Sequence, residues 1–132
     1  MAKKVDEFPV YARVSELAVA ITAILNRPGM RRDLKLRAQI SDAIDSVAAN
    51  MEEGFEQGTD RAFAHYLTIA KGSVGEIIGH LRRASRKGYI QAEELSGLVA
   101  RLEEIGRMLG GFIKYLERSD FKDRGRHRIP DP

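Results

Sequence analysis

"SVAANMEEGFEQGTDRAF", residues 46–63, holds the reading that decides the fold. It runs apolar at helical spacing, yet carries Asn50, Glu52, Glu53 and Gly54 in the middle. Gly58 then supplies a left-handed helix terminator, and Thr59 with Asp60 supplies a cap and an acid suited to the positive end of the next helix. A turn this tight makes the flanking helices antiparallel neighbours. Reflection about Gly58–Thr59 pairs residues whose numbers sum to about 117. Asn50 then lies level with Leu67 and Thr68, Glu53 with Ala64 and His65, and Gly54 faces Phe63. A glycine there admits an aromatic ring or a neighbouring backbone. An amide at Asn50 is expected to bridge the two helices by hydrogen bonds and fix their register.

Outward from this turn, four helical segments emerge. The first spans roughly 8–25, with Val14, Leu17, Ile21 and Ile24 on one stripe, and "NRPG" (26–29) reads as its stop. A second spans roughly 33–57, with Asp33 as N-cap and Leu36, Ile40, Ala43, Val47 and Met51 on its stripe. The third carries Phe63, Leu67, Ala70, Val74, Ile77, Leu81 and Ala84 at alternating steps of four and three, a heptad seam, and ends at Gly88. A fourth, roughly 91–118, repeats the pattern with Leu95, Leu98, Leu102, Ile105, Leu109, Phe112 and Leu116. These imply an all-α fold, an antiparallel up-down-up-down four-helix bundle over 1–118, with a basic tail over 119–132. No strand pattern is present.

The chain has 132 residues, enough for one domain, with 43% hydrophobic and 31% charged residues and a formal net charge of +3. It lacks cysteine, so disulfides and Cys-based zinc sites are excluded and a cytoplasmic setting is expected. No secretory signal and no apolar run near the ~20 residues of a membrane span is visible.

Metal, cofactor and catalytic patterns are weak. Glu76 and His80 share a helix face, but there is no Glu-x-x-His pair for a di-metal bundle. Ser73, Glu76 and His80 lie on one helix and cannot build a triad with an oxyanion hole. "KGSVG" (71–75) lacks phosphate-loop spacing and lies within a helix. Arg61 with His65, and Arg126 with His127, miss the Arg–His spacing of small helical ribonucleases. The expectation is no enzyme, no metal and no cofactor.

Basic residues are grouped instead. Arg31, Arg32 and Lys35 flank the first turn, while Arg82, Arg83, Arg86 and Lys87 end the third helix. Topology places both groups at one end of the bundle. That end is either a solvated finish to helix dipoles or a phosphate-binding surface. Gly72, Gly75 and Gly79 form a small-residue stripe, read either as close packing within the bundle or as a subunit contact.

"SVAANMEEGFEQGT" (46–59) followed by "FAHYLTIAKGSVGEIIGHL" (63–81) resembles the four-helix-bundle family of 23S rRNA intervening-sequence proteins. The residues carrying the resemblance are Gln39, Ile40 and Ala43; Ser46, Val47, Asn50, Met51, Glu52, Glu53 and Gly54; and Ala70, Gly72, Ser73 and Glu76. The resemblance implies the antiparallel bundle, a ring-like homo-oligomer (a pentamer), and a link to nucleic acid. The related accessory variability protein of diversity-generating retroelements presents basic ring surfaces to nucleic acid and to a reverse transcriptase. Two departures stand out. The chain has no tryptophan, and the family's arginine pair is replaced by Ser41 and Asp42, which removes the usual contact to Glu76. Lys71 paired with Asp45 is the expected substitute. The resulting expectation is a non-enzymatic, oligomeric, nucleic-acid-associated accessory protein, RNA favoured over DNA. The alternative is a scaffold that binds a protein partner.

Overall fold

The computed structural model describes residues 4–122, with side chains over 4–119. It is all-α: a short 3-10 turn at Val5–Glu7, then α1 (Pro9–Leu25), α2 (Pro28–Arg32), α3 (Leu34–Glu56), α4 (Asp60–Arg86) and α5 (Ala92–Lys122). Four helices are long, and no strand occurs among the described residues.

The helix ends follow local chemistry. Pro9 occupies the first turn of α1, where a missing N–H costs nothing. Pro28 does the same for α2, so "NRPG" starts a short helix as well as stopping a long one; the plain turn expected there is corrected. Asp33 Oδ1 accepts from the Leu36 N–H at 3.3 Å and caps α3. Thr59 Oγ1 accepts from the Ala62 N–H at 3.2 Å and caps α4. Gly58 (φ 83°) and Gly88 (φ 82°) adopt the left-handed conformation after α3 and α4. At Gly88 the two Schellman bonds form, Tyr89 N–H to Ala84 O and Gly88 N–H to Ser85 O, both 3.0 Å. Helix α5 runs past residue 118 to Lys122; the rest of the expected tail, 123–132, lies outside the described residues.

Contacts fix how the helices run. Between α3 and α4, Gly54 meets Phe63, Ser46 meets Ser73, and Gln39 meets Arg83. Between α1 and α3, Tyr11 Oη donates to Glu52 at 2.6 Å and Arg37 Nε donates to Leu25 O at 3.2 Å. Val74 lies beside Gly106 and Lys71 beside Gly110 across α4 and α5. Arg13 of α1 pairs with Glu104 of α5, and Arg27, just past the end of α1, pairs with Glu94. In each pairing, residue numbers rise along one helix as they fall along the other.

The seam of α4 is buried throughout, as are the α3 stripe residues Leu36, Ile40, Ala43, Val47, Met51 and Gly54. Phe8, Phe55, Phe63 and Phe112 close one end of the core, with ring centroids 4.8–6.0 Å apart. No helix among the described residues is long and apolar enough to cross a membrane.

Candidate nucleic-acid interface

The turns bring the C-terminus of α1, all of α2, the start of α3, the end of α4 and the start of α5 to one end of the molecule. Every basic residue predicted for the interface lies there, but they divide into two sets.

The first set is committed within the chain. Lys87 Nζ donates to Asp33 Oδ2 at 2.8 Å, and Tyr89 Oη donates to the same oxygen at 2.9 Å. Those two bonds, with the Leu36 N–H, hold the Asp33 carboxyl below the usual carboxylate range. The same carboxylate raises Lys87 and Tyr89 above their ordinary values. Arg83 Nη2 donates to Gln39 Oε1 at 2.9 Å and lies 2.6 Å from His80 Nδ1. Burial first, then the Arg83 charge, lowers the His80 pKa, which favours a neutral imidazole that accepts from Arg83. Lys87 and Arg83 therefore brace α4 against α3.

The second set is uncommitted. Arg31, Arg32, Lys35, Arg82 and Arg86 are exposed, and their side chains make no hydrogen bond or ion pair among the described residues. An open cleft lined by Asp33, Lys35, Leu36, Gln39, Arg83 and Lys87 runs between the two helices.

Sequence reading missed two braces at this end. Arg27 makes two bonds to Glu94, 2.6 and 2.7 Å, which hold the Glu94 carboxyl low. Arg37 reaches Leu25 O and Asn26 Oδ1, the latter at 3.1 Å, and closes the C-terminus of α1. The signal was available for Arg37, since arginine seeks the free carbonyls of a helix end. For Arg27, nothing local marked Glu94 as its partner.

The motif residues behave differently from expectation in several places. Asn50 does not span the helices. Its Nδ2 donates to Ser46 O at 2.8 Å and to Ser46 Oγ at 3.1 Å, and it is Ser46 that bonds Ser73 across the interface, at 2.8 Å. Ser73 is buried there. Glu53 stays on its own helix, accepting from Gln57. Gly54 is approached as expected: a Cβ would lie 2.9 Å from Phe63 Cδ1 and 2.7 Å from Tyr66 Cβ. Gly72, Gly75 and Gly79 have open space where a Cβ would stand, so close packing of this stripe within the chain is corrected. Glu76 is exposed, and its charge is felt by His80. Lys71 lies over Gly110 of α5 rather than beside Asp45. No group of three potential metal ligands gathers among the described residues.

The opposite end carries charges of both signs. Asp6, Glu52, Glu53 and Glu56 are exposed there beside Lys4, Arg61 and Arg118. Glu52 accepts from Tyr11 and pushes the phenol up to about 12.

A family model described as 23S rRNA-intervening sequence protein matches residues 6–111, most of the chain. No curated protein matches the chain at a significant level.

Proposed function

The chain belongs to the 23S rRNA-intervening sequence protein family, and we propose that it is a non-enzymatic, RNA-associated accessory protein. In this reading the helices form an antiparallel up-down-up-down four-helix bundle that assembles into a ring, a pentamer as the family resemblance implies. One observation carries the functional reading. Arg31, Arg32, Lys35, Arg82 and Arg86 come from separate segments to one end and have no partner among the described residues. Cations held in that state are ready to displace counterions from a phosphate backbone. A ring repeats the end around a circle and multiplies the contacts without new chemistry. The family's description names a 23S rRNA intervening sequence, not a reaction or a ligand, so the binding role rests on the basic end.

The test is fluorescence anisotropy with a structured RNA across a salt series. The variant to compare is Arg32→Glu/Arg82→Glu/Arg86→Glu, which spares the braces Arg83 and Lys87. Micromolar or tighter binding that falls steeply with salt and is lost in the variant is the expected result. Unchanged binding by a folded variant rejects this surface.

A second reading rests on apolar exposure. Val19 (74%), Leu34 (75%) and Ile69 (41%) face solvent. They stand singly on three helices, and a protein partner held through any of them would stay bound at high salt.

A further inference from the structure

Resting on the proposed RNA reading, we infer that the ligand of the basic end is double-helical RNA, gripped along both phosphate strands, rather than a single strand. The uncommitted cations form two rows. One row is Arg31, Arg32 and Lys35, on α2 and the first turn of α3. The other is Arg82 and Arg86 on α4. Arg83 and Lys87 face α3, since they bond Gln39 and Asp33. Relative to Arg83, Arg82 and Arg86 are turned about 100° and 60° around the helix, away from α3. The floor between the rows is occupied by these internal bonds and offers little to a backbone. Packed helices lie about 8–10 Å apart axis to axis, so with side-chain reach the rows stand on the order of 10–20 Å apart. In A-form RNA the two phosphate strands border a wide, shallow minor groove, which proteins contact from strand to strand through phosphates and 2′-hydroxyls. A single strand carries one line of phosphates and meets both rows only by bending between them, at a cost in chain entropy that a preformed duplex does not bear.

Stacking points the same way. Proteins that hold single strands place aromatic rings under the bases. Tyr89 is the aromatic at this end among the described residues, and it is not free to stack. Its ring packs over Gly29, 3.4 Å from where a Cβ would stand, and its hydroxyl is tied to Asp33. Duplex RNA is recognised through phosphates, 2′-hydroxyls and shape, which needs no such platform.

The experiment uses the full chain and three probes at matched salt: a 20-base-pair RNA duplex (roughly the span dsRNA-binding modules cover), an oligouridylate with the same number of phosphates, and a DNA duplex of the same length. The RNA duplex is expected to bind at least about tenfold tighter than the oligouridylate. Arg82→Glu/Arg86→Glu, which removes one row, should bring the two affinities together. Equal or tighter binding of the single strand overturns this inference and leaves the RNA-associated function standing. Duplex DNA bound as tightly as duplex RNA overturns the assignment to RNA. Binding to no probe by a folded protein overturns the proposed function itself.

Discussion

Gly54 and Gly72 stand within the family-like motif for opposite physical reasons. At Gly54 a methyl would collide with Tyr66 Cβ and Phe63 Cδ1 at under 3 Å. Overpacking of this kind costs about 1–3 kcal/mol, more than the ~1 kcal/mol that alanine gains over glycine in a helix. At Gly72 nothing lies within 4 Å. Gly54→Ala should therefore lower the urea midpoint at constant m, and Gly72→Ala should raise it, by roughly 0.5–1 kcal/mol in stability. The Gly54–Phe63 approach was legible because a turn of fixed length sets the register on both sides. The Gly72 stripe was not, because glycines at helical spacing look alike whether covered or bare. Asn50 was misread for a local reason: an amide on a helix finds the carbonyl one turn back before it finds a neighbour. His80 carries a pH signature. Its lowered folded pKa means that the unfolded chain takes the proton first, near the ordinary value of about 6.5. Its contribution to stability is complete above that value and is lost as pH falls through the lowered one. His80→Gln should flatten this part of a stability–pH curve measured by denaturant titration; a curve unchanged by the substitution would place the titration elsewhere.

At the level of elements, caps and seams decide where helices lie. Thr59→Ala removes the α4 cap and should cost about 0.5–2 kcal/mol, read from thermal or urea unfolding. Asp33 is a cap that also anchors Lys87 and Tyr89. With its folded pKa depressed, its contribution is present above about pH 4 and is lost as pH falls through the depressed value. Asp33→Asn should remove that acid-side loss while weakening the α3–α4 brace at neutral pH, and an acid limb identical to wild type would sink this assignment. The long helices were legible because α4 and α5 keep a heptad seam and α3 a buried stripe. Helix α2 was hidden because a proline after an extended residue reads equally as a stop and as a first helical position. The last turn of α5 was hidden because "SDFK" (119–122) has no apolar spacing to announce it.

At the scale of the whole molecule, uncommitted arginines and a lysine gather at one end, while the other exposes charges of both signs. The gathering of the basic clusters was legible, since short turns between helices send distant segments to the same end. Which cations are free was not, because Asp33, Gln39 and Glu94 claim Lys87, Arg83 and Arg27 from other helices. A ring of five should give a light-scattering mass near five times the 14.8 kDa chain. A concentration-independent monomer would remove the multiplied basic face from the proposal. The most direct measurement is the salt dependence of binding to the 20-base-pair RNA duplex, wild type beside Arg32→Glu/Arg82→Glu/Arg86→Glu. For the wild type, log K should fall linearly with log salt, with a slope of roughly 0.9 per neutralised phosphate. The variant should show a slope shallower by about one for each phosphate contact removed, or no measurable binding. Superimposable lines for the two folded proteins would contradict an RNA contact at the basic end.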